Sequence, residues 1–145
     1  MDPRPQRKLA VLTCMDTRLD VYRILGLERG DAHIIRNAGG LVTDDALRSL
    51  TISQRLLGTE EIVVMMHEGC GLQAPSEEEL AERLSLGDDA SAFAQGAFDD
   101  LENALRLGVA RLRSAPTLIA RDSVRGLVFD PSTDELREVD PPPAD

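Results

Sequence analysis

Tryptophan is missing from this chain, and only four aromatic residues are present: Tyr22, Phe93, Phe98 and Phe129. That is too few to build stacking platforms for nucleic-acid bases. Positive charge is also short, with 16 Lys and Arg against 26 Asp and Glu, a net charge of -10. No basic stripe offsets the deficit, so neither nucleic acid nor an anionic membrane is an expected partner. No secretory leader pattern and no bilayer-length apolar run is found, which makes a cytoplasmic location the expectation. Cysteine occurs only at Cys14 and Cys70, far apart in the sequence. In a chain of cytosolic type, that usage points to metal binding or catalysis before a structural disulfide. No G-x-G-x-x-G follows any apolar run, so the dinucleotide fingerprint is absent.

What is present fits one globular domain. The 145 residues are 42% hydrophobic and 29% charged, enough to bury a core without help from a second domain. Residues 1–8 read as a flexible lead-in, 9–140 as a single α/β domain and 141–145, with three prolines, as a flexible tail. Leu9–Leu12 is a short apolar strand, followed by a helix over Leu19–Leu25 that ends near Gly26. Ala32–Arg36 is a second strand. Thr43 caps a helix running to Leu57, with Asp44 and Asp45 in its first turn. Its stripe of Ala46, Leu47, Leu50, Ile52, Leu56 and Leu57 is broad enough to imply contact on more than one side. Glu61–His67 is the third strand. Ser76 and Glu79 form a capping box that opens another helix. A longer helix is expected over Ser91–Arg113, then a fourth strand at Thr117–Ala120 and a hairpin of Val124–Phe129 with Glu135–Val139. The alternation predicts a mostly parallel sheet of about four strands, helices on both faces and a C-terminal β-hairpin.

Chemistry collects where strands end. The first apolar run stops at Cys14, Asp16 and Arg18, and the third at His67-Glu68-Gly69-Cys70-Gly71. Asn37-Ala38-Gly39-Gly40 follows the second strand, where paired glycines permit either an ordinary tight turn or close approach to a ligand. In a parallel sheet these three segments converge on one edge, where α/β folds keep their ligand crevices. Taken alone, Cys14 with Asp16 and Arg18 also fits a buried thiol beside a solvated ion pair. His67 and Cys70, three apart across a glycine turn, can share one ion, and Cys14 completes two thiolates and an imidazole, the donors zinc prefers. Three protein ligands leave a tetrahedral ion one open position, as at a catalytic site. Asp16 is the acidic residue tied by spacing to a ligand, and His33, inside a strand, reads as a core residue.

These motifs together resemble the β-class carbonic anhydrases, in their compact actinobacterial branch. That family carries Cys-x-Asp-x-Arg, here Cys14 to Arg18, and His-x-x-Cys, here His67 to Cys70. The likeness continues through Arg36 to Gly39, Val42 to Asp45, Ser53 to Gly58 and Arg125 to Phe129, nearly the whole chain. The resemblance implies a zinc enzyme that interconverts carbon dioxide and bicarbonate by attack of zinc-bound hydroxide. It implies Cys14, His67 and Cys70 as metal ligands, with Asp16 accepting a hydrogen bond from the zinc-bound water and Arg18 holding Asp16. In some members the equivalent aspartate binds the metal and closes the site, which makes Asp16 a candidate fourth ligand in such a state. Asn37, Ala38, Gly39 and Gly71 are the candidates for the substrate pocket. A homodimer is implied too, weakened by the short stretch before the first strand. Three alternatives stay open. One is a zinc-binding relative without hydratase activity, another a hydrolase of a different small linear molecule such as carbon disulfide, and the third a redox pair of Cys14 and Cys70.

Overall fold

The computed structural model describes residues 2–143; the first residue of the expected lead-in and the last two of the expected tail lie outside the described residues. Five strands form one sheet in the order β2-β1-β3-β4-β5. They are β1 (Leu9–Cys14), β2 (Ala32–Asn37), β3 (Glu61–His67), β4 (Val124–Asp130) and β5 (Glu135–Asp140). All neighbours are parallel except β4 and β5, which form the antiparallel hairpin. The helices are α1 (Val21–Leu25), α2 (Asp44–Leu57), α3 (Glu77–Leu84), α4 (Ala90–Phe93) and α5 (Leu101–Arg113). From β1 the chain steps one way to β2 and then back past β1 to β3 and β4. Right-handed crossovers therefore put α1 on one face and α2 and α5 on the other. The reversal falls between β1 and β3, and a crevice opens at the carboxyl ends of strands where such a reversal occurs.

β1 and β3 are apolar without alternation because they lie in the middle of the sheet, covered on both sides. Ala10 to Thr13 and Ile62 to Met65 are buried along their lengths. On α2, the Thr43 side chain accepts from the Ala46 N–H, and Gly58 closes the helix in the left-handed conformation. Leu101, Leu105, Val109 and Leu112 are the buried face of α5, and Gly126 of β4 gives them room: a Cβ there would come within 3.1 Å of Leu105 and Val109. Near the start of the chain, Gln6 and Arg7 donate backbone hydrogen bonds to Gly30 and Asp31, and Pro5 is buried. His33 is half-buried, with Nδ1 on the Ser53 hydroxyl and Nε2 on the Pro3 carbonyl.

Three expectations are corrected. Thr117–Ala120 is not a strand: the Gln54 side chain takes its backbone groups, accepting from the N–H of Ile119 and Ala120 and donating to the Ala120 carbonyl. The fourth parallel strand is instead β4, so the hairpin belongs to the main sheet. The helix expected over Ser91–Arg113 is broken in two. Gly96 sits at φ +88°, a left-handed conformation that no helix interior uses, and Asp100 caps α5 by accepting from the Asn103 N–H. Glu79 does not complete its capping box, because its carboxylate pairs with Arg83 one turn on.

Candidate metal centre

Register fixes the site before any side chain is considered. Thr13 of β1 lies beside Met65 of β3, and the Thr13 hydroxyl donates to the Met65 carbonyl at 2.8 Å. Cys14 and His67 are the last residues of these adjacent strands, and the turn after β3 carries Cys70 back. One donor atom from each of Cys14, His67 and Cys70 lies within 4.8 Å of the others, and all three residues are buried. The two sulfurs are 4.0 Å apart. That is twice a disulfide bond, but two thiolates on one tetrahedral zinc stand about 3.8 Å apart, from a metal–sulfur distance of about 2.3 Å.

The chemistry of these donors fits a cation. His67 Nδ1 lies 2.8 Å from the Glu68 carbonyl oxygen; a carbonyl can only accept, so Nδ1 carries the proton. In the neutral ring, Nε2 then presents a lone pair. Among the described residues it is one of two buried side-chain nitrogens without a hydrogen-bond partner, the other being Arg113 Nε. It faces Asp16 Oδ2 at 3.7 Å and the two sulfurs. A buried lone pair without a hydrogen-bond partner, facing a carboxylate oxygen, is costly unless an ion stands between them. Burial pushes the Cys70 thiol up to about 11, so forming its thiolate needs a cation and releases a proton. The Gly39 N–H is already aimed at Cys14 Sγ, at 3.3 Å.

Asp16 and Arg18 form the second layer. Arg18 Nε and Nη2 donate to the two oxygens of Asp16 at 3.0 and 2.7 Å, and the Arg18 backbone N–H adds a third bond at 2.8 Å. Hydrogen bonding from Arg18 is the main reason that Asp16 is held well below the usual carboxylate range. Arg18 Nη2 also donates to the Gly69 carbonyl at 3.0 Å, tying this pair to the turn that carries Cys70.

Of the expected pocket residues, Ala38, Gly39 and Gly71 line a cavity of about 420 Å³ that also touches Cys14, Asp16 and Cys70. Asn37 lines an adjoining cavity instead; its amide exchanges two hydrogen bonds with the Leu41 backbone, which shapes the loop. Two features were not expected from the sequence. Arg36 donates to the backbone carbonyls of Cys14 and Asp16, at 2.9 and 2.8 Å, and so fixes the carboxyl end of β1. The cavity's apolar wall comes from Leu72, Leu80, Leu84 and Phe93. The i, i+4 spacing of Leu80 and Leu84 signals an apolar stripe, but nothing in it says that the stripe faces a metal site.

Gly40 holds the loop against both central strands. At φ +66°, a Cβ there would lie 3.0 Å from the Thr13 carbonyl carbon, 3.1 Å from Cys14 N and 3.2 Å from the Met65 oxygen. Backbone cannot move aside as a side chain can. Gly40→Ala is expected to cost about 2 kcal/mol or more, read as a lower urea midpoint with an unchanged slope; wild-type stability would contradict this packing.

Comparison with known proteins adds four findings. The family model described as carbonic anhydrase matches residues 9–117. Beta-carbonic anhydrase 1 of Mycobacterium tuberculosis is 41% identical over 140 residues, covering 94% of this chain and 85% of that protein. A carbonic anhydrase structure from Streptococcus mutans superposes with a TM-score of 0.87 at 44% identity, over 94% of this chain and 84% of that one. A carbon disulfide hydrolase of Acidithiobacillus thiooxidans is also similar, at 33% identity over 90% of this chain and 76% of its own.

Proposed function

The chain belongs to the β-carbonic anhydrase family, and from that premise we propose that it catalyses the reversible hydration of carbon dioxide to bicarbonate and a proton. The observation that carries the reading is the buried Cys14–His67–Cys70 group with its unpartnered Nε2. These three residues would hold zinc. When bound, zinc supplies the Lewis acidity that makes water a nucleophile near neutral pH. The protein's own part is orientation. Asp16 offers a fixed, ionised carboxylate that only accepts, so it selects a reacting water that still has a proton to donate. Arg18 keeps that carboxylate charged and turned to the cavity. Leu72, Leu80, Leu84 and Phe93 supply apolar surface, suited to a neutral, linear molecule with little hydrogen-bonding power.

The test is zinc analysis together with stopped-flow hydration of carbon dioxide, on the wild type and on Asp16→Asn. About one zinc per chain with hydration is the expected result, and zinc without hydration would leave a binding protein. The similarity to a carbon disulfide hydrolase favours one rival substrate. Sulfide release from carbon disulfide, without carbon dioxide hydration, would assign that activity instead. A cytoplasmic location is the accompanying reading, supported by the grouping of both thiols at one site. Among the described residues, no helix is long and apolar enough to cross a membrane.

The assembly follows from surface left uncovered. Leu56 on α2 is 71% exposed beside half-buried Ile52, and the edge strand β2 has one side without a strand partner. A homodimer covers both. Sedimentation velocity is expected to show a dimer that dissociates on dilution; monomer at every concentration would overturn it.

A further inference from the structure

The described residues form two cores, and the smaller one roofs the cavity at Cys14 and Cys70. The main cluster runs through the sheet, α5 and Leu50 of α2. A satellite of Ala74, Leu80 and Ala94, with Leu72, Ala81 and Ala97 packed against it, holds α3 and α4 together. The segment carrying it leaves and returns at one place. Gln73 bridges to Phe98, the Ala74 N–H donates to the Phe98 carbonyl at 2.9 Å, and the Gln73 amide donates to the Asp99 carbonyl at 2.9 Å.

Beyond that neck the seam with the main body is poorly filled. Cavities of about 350, 420 and 310 Å³ lie along it. Phe93 borders the first two, and Gln95 borders the first and third. Between them is a close contact at Gly96, where a Cβ would fall 2.4 Å from the end of Leu41. These clefts open to solvent, so the side chains lining them make fewer contacts across the seam than packed ones would. A small cluster on a narrow neck opens at lower cost than the sheet unfolds. Phe93 is 68% exposed at the rim of the metal cavity, while Cys14 and Cys70 beneath it are 4% and 7% exposed.

We propose that residues 74–97 open as a unit about this neck, and that Leu80, Leu84 and Phe93 thereby set the size of molecule that reaches Cys14, Asp16 and Cys70. The inference does not rest on the reaction assigned to the site, since it concerns access to two buried sulfurs.

Those sulfurs are the only thiols in the chain, so they report access directly. Full-length protein stripped of metal by a chelator is labelled with iodoacetamide and with the bulkier 5,5′-dithiobis(2-nitrobenzoate), over urea concentrations below the unfolding transition. Both rates are expected to rise with urea much less steeply than global unfolding does. Leu80→Ala, which removes the centre of the small cluster, should raise both by at least about thirtyfold, the low end of what truncating a buried leucine does to an opening equilibrium. Phe93→Ala, at an exposed rim position, should speed the bulky reagent more than the small one. Labelling that follows the global unfolding slope in the wild type would overturn opening as a unit, as would unchanged rates in Leu80→Ala. Equal acceleration of both reagents in Phe93→Ala would overturn control by size.

Discussion

Cys14→Ser is expected to lower zinc affinity by about a hundredfold or more while leaving the fold intact. Complete four-ligand zinc sites bind with about 10–16 kcal/mol, so one ligand accounts for about 3 kcal/mol, or about two orders of magnitude. Serine cannot replace the lost thiolate, because its hydroxyl stays protonated at neutral pH. The Gly39 N–H that now meets the Cys14 sulfur would face a neutral oxygen instead. The fold should survive, since the Thr13–Met65 hydrogen bond and the β1–β3 ladder do not involve the sulfur. Cys70→Ser and His67→Ala should behave alike, with an added cost for His67, which is wholly buried. Competition with a chromogenic chelator, beside a urea titration of each variant, separates affinity from folding. Wild-type affinity in Cys14→Ser would remove this residue from the ligand set and leave the site without its third donor.

Much of this site was legible because its residues stand where strong patterns stop. The apolar runs of β1 and β3 break off at Cys14 and His67, and it is the pairing of the two strand ends, more than either residue alone, that points to a shared ion. Thr43 with Asp44 and Asp45 marks the start of α2 because a helix terminus has local needs that local residues meet. The failures have the opposite character. Thr117–Ala120 has strand composition, yet its backbone is satisfied by Gln54, which lies far off in sequence. Phe93 and Ala97 continue the apolar periodicity of α5, yet one left-handed glycine at position 96 outweighs the pattern. The roof over the cavity was illegible for the same reason. Leu80 and Leu84 announce an apolar face, but what it covers depends on where a distant neck returns the chain.

Opposite shifts in the pH dependence of hydration are expected when the two halves of the Asp16–Arg18 pair are removed. Asp16 is held far below its ordinary value, first by the Arg18 hydrogen bonds. A depressed carboxylate contributes stability that is fully present above its unfolded pKa of about 4 and is lost as pH falls through the folded value. Asp16 therefore stays ionised through the whole range of an activity assay, and any limb near neutrality belongs to another group. Two thiolates cancel the charge of a divalent ion, Asp16 adds one negative charge and Arg18 returns it. Ionising water in that field is harder than beside three neutral histidines, so the wild-type rate should rise through an apparent pKa above about 7. Asp16→Asn removes a negative charge and leaves Arg18 uncompensated, which moves the limb toward acid. Arg18→Ala removes the positive charge and moves it toward alkali, and it lets Asp16 drift back toward the ordinary carboxylate range. Both variants lose the fixed acceptor geometry, so their plateau rates should fall by about a hundredfold. Stopped-flow rates from mildly acidic to alkaline pH on the three proteins decide the matter. A limb that stays in place, or moves the same way in both variants, would show that the pair's charge does not reach the reacting group and that its role is confined to fixing the turn at Gly69.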